Sequence, residues 1–263
     1  TSDIGWAVGH AYITYAPLLV GATTIAFEGS IDHPSVDTFY RILEENHVSG
    51  LFTSPTAVRL FMRYGAEPAK ARSLAAIERV FCAGEVLNPP AWEWLQKEVF
   101  ADRVPVIDHM WQTETGGPIV GNPYGLGLLP IKPGSSGVLL PGIEGGIMST
   151  EGQELGAGER GIFVIKRPFP GLTPTLWGEH ERWVGDYWGK IPGHLEAVEL
   201  DRCAEPLREG LDRCDERFCL RLARNRRQQV LERGGRTADG QRGEGPILSA
   251  LECGLVDGGP QHV

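Results

Sequence analysis

Several things are scarce in this chain, and each scarcity excludes something. Lysine is rare: the 263 residues hold five, the last being Lys190, against 20 arginines. The formal net charge is −9, so no basic field draws nucleic-acid phosphates, and we expect no nucleic-acid partner. The five cysteines lack the C-x-x-C spacing of a zinc site or redox pair. Their odd number fits a reducing compartment, the cytoplasm, better than a disulfide scaffold. Thr1 opens a segment that already reads as structured, with neither an initiator Met nor a signal-peptide pattern, so we expect a cut through a longer protein. The charge-free run nearest to membrane length is "AYITYAPLLVGATTIAF", residues 11–27. Pro17 and Gly21 interrupt it and its end is rich in β-branched residues. It therefore reads as a buried helix, a glycine turn and a buried strand (22–27), with no membrane partner.

What is present first is an alternation of short apolar strands and amphipathic helices. "HPSVDTFYRILEEN" places Val36, Phe39, Tyr40 and Leu43 on one helical face. "SGLFTSP" (49–55) reads as a strand, followed by a helix with Ala57, Leu60, Phe61 and Tyr64 on one stripe. "RVFCAGE" (79–85) leads to a helix with Asn88 as its N-cap and Pro89 and Pro90 in its first turn. "VPVIDHM" (104–110) then runs into "WQTETGG". Such an order predicts an α/β fold, a mostly parallel sheet with flanking helices that binds ligands beyond the carboxyl ends of its strands. From Gly134 the pattern changes to "GVLLPG", "EGGIMS" and "GIFVIK", short strands between Gly/Pro turns, which predict a small antiparallel β subdomain. We expect the α/β part over 1–130 and the β subdomain over 131–193.

Residues 194–263 form a third region of different composition. They hold 11 of the 20 arginines, four of the five cysteines and no Lys, Trp or Tyr. With little to bury, they predict an irregular, largely disordered tail with a modest helix around 207–231. Arg, Gly and Cys in these proportions are what GC-rich DNA yields when read out of frame, so we expect the tail to be foreign to the fold.

Three strand ends carry candidate chemistry. In "DHMWQTETGG", Thr113 and Thr115 offer hydroxyls, Glu114 a carboxylate, and Gly116 and Gly117 a backbone that a ligand can approach. Trp111 can wall an apolar pocket. A carboxylate beside hydroxyls suits Mg²⁺ carrying phosphate, while a polar turn explains the same residues equally well. "AGEVLN" supplies Gly84 and Glu85, and "TSPTAV" supplies Thr53, Ser54 and Thr56. Each is also what a strand-to-helix turn with a hydroxyl cap requires.

Taken in order, "SDIGWAVGHAYITYAPLLVGATTIAFEG", "TSPTAVRLFMRYG", "AGEVLNPPAWEWL", "DHMWQTETGG", "IKPGSSG", "IKRPFPG" and "WGEHERW" resemble consecutive blocks of the AMP-forming acetyl-CoA synthetases. These belong to the adenylate-forming superfamily, and the resemblance spans residues 1–193. It implies a short-chain acyl-CoA ligase that joins a carboxylic acid to ATP, giving acyl-AMP and diphosphate, and then passes the acyl group to coenzyme A. On this resemblance Trp6, Ala7, Val8, Ala83 and Trp111 shape the acyl pocket. Gly84, Glu85, Val86, Asp108, His109, Met110, Gln112 and Thr113 bind ATP or AMP, Glu114 holds Mg²⁺, and Ala57 lies by the CoA channel. Ala7, Val8 and Ala83 stand where the acetate pocket has Val, Thr and Val. That implies a wider, drier pocket that takes propionate, or a slightly larger acid, at least as well as acetate.

The resemblance also stops short. The family's Gly-rich phosphate loop has no counterpart here, and "GHLEAVELDRC" stands where a Thr-Gly-Asp block is expected. The catalytic lysine of the C-terminal domain has no counterpart after Lys190. We therefore expect a fragment that is inactive as this chain alone, or a non-catalytic nucleotide-binding remnant. Another adenylate-forming ligase is a further alternative.

Overall fold

The computed structural model describes residues 1–189, 191 and 195–198. The expected tail helix lies outside them. Strands β1 (Gly50–Thr53), β2 (Arg79–Cys82) and β3 (Val106–Asp108) form a parallel sheet in that order, with Leu51 opposite Val80 and Val80 opposite Val106. This is the expected α/β layer. Because side chains alternate across a strand, Leu51, Val80, Cys82 and Val106 share one face and Phe52, Phe81 and Ile107 the other. The first set joins the main buried cluster with Phe39, Tyr40 and Leu43 of helix α2 (Asp37–Glu45), as that helix's pattern predicts. Helix α1 (Ala16–Leu19) precedes α2 in the chain.

The crossover helices begin where their caps dictate. Helix α3 (Pro55–Tyr64) starts at Ser54, whose side chain accepts the Ala57 N–H at 3.2 Å, with Pro55 pre-set for the first turn. It buries Ala57, Val58 and Phe61, whereas Tyr64, expected on the same stripe, is exposed. The face is rotated toward Val58 because the sheet, not the helix, sets which side is covered. A short α4 (Glu67–Lys70) follows. Helix α5 (Pro89–Glu93) opens at Asn88, which accepts the Ala91 N–H at 3.2 Å, and runs on as a π-helical stretch, Trp94–Val99. That stretch protects the outer edge of β3: buried Gln96 donates to Val104 C=O at 2.9 Å and accepts from Val106 N–H at 3.1 Å. Trp92 Nε1 donates to Val106 C=O at 2.8 Å.

Beyond β3 the strands turn antiparallel, as expected. Met110 bridges to Val120, and β4 (Val120–Gly121) pairs with β5 (Val138–Leu139). A second sheet runs β6 (Gly145–Met148), β7 (Ile162–Ile165) and β8 (Leu195–Val198), all antiparallel. Strand β4 precedes the expected boundary at 130 and β5 follows it, while β8 lies past residue 193. Ile119, Val120, Phe163, Ile165 and Trp183 form the core of this region; Trp183 ends helix α6 (His180–Trp183), which continues as a π-helical stretch, Val184–Trp188.

The N-terminal segment departs from its expected form. A π-helical stretch, Gly9–Tyr15, leads into α1 and a turn at Gly21, but 22–27 is irregular chain without strand pairing. Nor is the run buried: Leu18, Leu19, Val20, Ile25 and Phe27 are all exposed. β-branched residues favour extended backbone, but only a neighbouring strand's hydrogen bonds make a strand of it, and none among the described residues lies beside 22–27. No helix among the described residues is long and apolar enough to cross a membrane.

Candidate functional site

The loops leaving the three parallel strands meet at one end of the sheet. Ala83, 6% exposed, donates its N–H to Thr53 C=O at 3.2 Å, and His109 N–H bonds Cys82 C=O at 3.0 Å. These bonds continue the ladder one residue past each strand. Gly84 then takes a φ of 100°, a left-handed turn that suits glycine, and leaves Gly84, Glu85 and Val86 exposed. Glu85 is held by the Thr56 hydroxyl and by an ion pair with Arg59 across the α3 end. The Thr56 hydrogen bond, with Arg59 adding to it, keeps the Glu85 carboxyl below its ordinary range. Buried Leu87 closes this loop: its N–H donates to Asp108 Oδ2 at 3.2 Å, which joins the loops after β2 and β3.

The stretch from Asp108 to Gln112 is electrically unusual. Asp108 and His109 are 4% and 5% exposed. Burial pushes the Asp108 carboxyl up to about 7, against the Leu87 and His109 N–H groups and the Ser136 hydroxyl, which favour the ion. Burial also brings His109 down to about 4, so its imidazole is neutral near pH 7. Four buried side-chain atoms have no hydrogen-bond partner among the described residues: Asp108 Oδ1, both ring nitrogens of His109, and Gln112 Oε1. All four fall within five consecutive residues. Leaving a buried polar atom unpaired costs about 1–3 kcal/mol, so a cluster of them marks a place where polar ligand atoms are favoured.

Aromatic rings line the sheet face on this side. The His109 ring meets Phe52 edge-on at 5.1 Å and Phe81 at 6.0 Å, and Phe81 meets Tyr124 at 6.2 Å. Tyr12 stacks on Phe52 at 5.8 Å and meets Trp111 edge-on at 5.2 Å. Tyr12 is thus the N-terminal residue that reaches Trp111, a role the motif reading missed; its place one helical turn after Val8 was the available signal. Trp6 is 68% exposed, while Ala7 and Val8 are half-buried. Ala57 is buried in the helix-packed cluster, and its N–H is committed to the Ser54 cap. Met110 is half-buried, with its backbone bonded to Ile119 and Val120.

Residues 113–115 form a single 3₁₀ turn fixed by Thr115, whose hydroxyl accepts from Gln112 N–H at 3.0 Å and lies 2.9 Å from Gly117 C=O. Thr113 is exposed. The two glycines that follow are also required by the protein's own packing. A Cβ on Gly116 would lie 2.5 Å from the Gly171 carbonyl, and one on Gly117 would lie 2.5 Å from the Tyr12 hydroxyl. Glu114 is half-buried; its Oε1 accepts from the Tyr187 hydroxyl at 2.7 Å and its C=O accepts from Thr173 N–H at 2.8 Å. This bond, more than any other influence, pushes the Tyr187 phenol up to about 12. No group of three His, Cys, Asp or Glu side chains gathers among the described residues. Glu114, with a partner at Oε1 and none at Oε2 among the described residues, fits a cation that takes one protein carboxylate and draws its other ligands from phosphate and water, as Mg²⁺ does.

A parallel sheet with loops converging at its carboxyl ends, and a cluster of unpaired polar atoms there, is the ligand-binding arrangement of open α/β proteins. The chain belongs to the AMP-binding enzyme family, whose family model matches residues 1–177. It is 40% identical over 197 residues to the acetyl-coenzyme A synthetase of Pyrobaculum aerophilum, covering 75% of this chain and 29% of that one. It is 45% identical over 190 residues to the same enzyme of Rubrobacter xylanophilus, covering 72% and 29%. Among solved structures, the acyl-CoA synthetase of Brucella canis superposes with a TM-score of 0.63 at 31% identity, over 74% of this chain and 34% of that one. The chain thus spans about 29% of the length of the curated relatives it matches.

Proposed function

We propose that this chain carries the acyl- and nucleotide-facing part of a short-chain acyl-CoA synthetase. In that reaction a carboxylate oxygen of the acid attacks the α-phosphorus of ATP, diphosphate leaves, and the acyl-AMP anhydride forms. The coenzyme A thiol then takes the acyl group, and AMP leaves. The observation that carries the reading is the cluster of partnerless polar atoms on Asp108, His109 and Gln112, beside the Gly84–Val86 loop. There the neutral His109 ring offers one donor and one acceptor, and Asp108 and Gln112 offer acceptors, to a nucleotide lying across the strand ends. Trp111, braced by Tyr12, closes the acyl side with Ala83 and the Trp6–Val8 turn. Glu114 would hold Mg²⁺, which when bound offsets the charge of the phosphates. Ala57 would line the approach of CoA, and the reaction would run in the cytoplasm.

Equilibrium binding of AMP to the 263-residue chain tests this reading. Asp108→Asn and Gln112→Ala should each weaken AMP by about tenfold, a loss in the range for a buried hydrogen bond, whereas Thr150→Ala should leave it unchanged. AMP binding that none of these variants alters removes the assignment. The acid is read separately: the propyl phosphate ester of AMP should bind at least as tightly as the ethyl ester, since Ala7, Val8 and Ala83 leave room for the extra methylene.

A second reading is binding without turnover, since Asp108, His109 and Gln112 would hold a nucleotide whether or not adenylation follows. ATP–diphosphate exchange by the purified chain separates the two, since exchange requires adenylation and binding does not.

A further inference from the structure

Glu114 and Tyr187 lie 73 positions apart in sequence, and their side chains meet at 2.7 Å. Neither end of this contact is loose. The Tyr187 ring packs on Trp183 at 4.5 Å, and Trp183, 3% exposed, sits in the core with Ile119, Val120, Phe163 and Ile165. On the other side, Thr173 N–H holds the Glu114 carbonyl, and the Gly116 backbone lies against Gly171, so close that no side chain fits between them. Glu114 is therefore held at two points, its main chain by the 171–173 backbone and its carboxylate by the π-helical turn after α6.

We propose that Tyr187 is the positioning residue for the cation-binding carboxylate of Glu114. Its hydroxyl occupies Oε1 and so presents Oε2 to a divalent cation carrying a nucleotide's phosphates. The proposal rests on the reading of Glu114 as a metal ligand. The choice of a phenol has a physical reason. A neutral O–H donor fixes a carboxylate's rotamer while leaving its full negative charge for the cation, whereas Lys or Arg at that place would neutralise it and compete with the metal. Partners of this kind, which orient a ligating carboxylate without touching the metal, govern metal affinity strongly.

The test measures ATP affinity of the 263-residue chain in excess Mg²⁺ and in EDTA, so that the ratio of the two reports the metal-dependent part alone. Glu114→Gln is expected to abolish the Mg²⁺ enhancement. Tyr187→Phe, which keeps the ring on Trp183, is expected to lower the enhancement by about tenfold while leaving the EDTA affinity unchanged. A Tyr187→Phe chain with the wild-type enhancement, beside a Glu114→Gln chain without it, overturns the role of Tyr187 and leaves the metal ligand standing. Equal losses in Mg²⁺ and in EDTA for Tyr187→Phe assign the bond to structure alone, and the proposal falls. Retention of the enhancement by Glu114→Gln, or its absence from the wild type, overturns the metal reading and the proposal together.

Discussion

Two apolar segments of similar make-up meet opposite fates in this molecule. Val106–Asp108 is wholly buried, paired with β2 on one side and bonded by Gln96 and Trp92 on the other. Residues 22–27 form irregular chain with no strand paired to them among the described residues, and Ile25 and Phe27 stand 36% and 46% exposed. The difference is not in propensity, since both are rich in β-branched and apolar residues. It lies in neighbours: β3 has a strand, a helix and two polar side chains to satisfy its backbone, and 22–27 is tied to the preceding helical turns by Ala22 N–H on Pro17 C=O and the Thr24 hydroxyl on Ile13 C=O.

Mutations break this comparison most sharply at the sheet centre. Val80, with no exposed surface, should not tolerate an unpaired charge: Val80→Asp is expected to cost about 4 kcal/mol or more, read as loss of a cooperative urea transition. Ile25→Asp, the matched change in the open segment, should stay within about 0.5 kcal/mol. A similar penalty at both positions would mean that 22–27 is covered in solution. Next in size, Gly116→Ala should cost about 2 kcal/mol, since φ there is 66° and the added methyl meets the Gly171 carbonyl. Gly84→Ala, in open space, should cost only the backbone strain, about 1 kcal/mol.

The buried strand end also has a pH signature that 22–27 cannot have. The Asp108 carboxyl, raised from 3.8 to about 7 by burial, keeps its proton in the fold where the unfolded chain has lost it. Its contribution to stability therefore falls as pH rises from about 4 to 7. His109, lowered from 6.5 to about 4, refuses a proton that the unfolded chain accepts, so its contribution rises with pH over nearly the same range. The slopes oppose each other. Asp108→Asn should leave a rise and His109→Gln a fall, each up to about 1.4 kcal/mol per pH unit, in urea melts between pH 4.5 and 6.5. Identical slopes in all three proteins would place these groups in water. Smallest among the structured positions, Asn88→Ala should cost about 1 kcal/mol through loss of its bond to Ala91 N–H.

Much of the α/β layer was legible because its signals are local. Ser54 and Asn88 with their prolines mark helix starts, the spacing of Phe39, Tyr40 and Leu43 marks a covered face, and Gly/Pro turns mark the change to antiparallel strands. The candidate site was legible only in part. "DHMWQTETGG" pointed to the right strand end and to the family. It could not show that Gly116 and Gly117 are small for the sake of Gly171 and Tyr12, since those contacts cross 55 and 105 positions.

By itself, then, the sequence determined the family, the alternation of helices and parallel strands from α2 to β3, and where α3 and α5 begin, because those depend on residues a few positions apart. The tertiary structure alone decided three things: that 22–27 goes unpaired, that Tyr12 braces Trp111, and that Tyr187 holds Glu114. Each is set by what lies beside a residue in space, where hydrogen bonds are completed and polar atoms lose water, and that neighbour is tens of residues away along the chain.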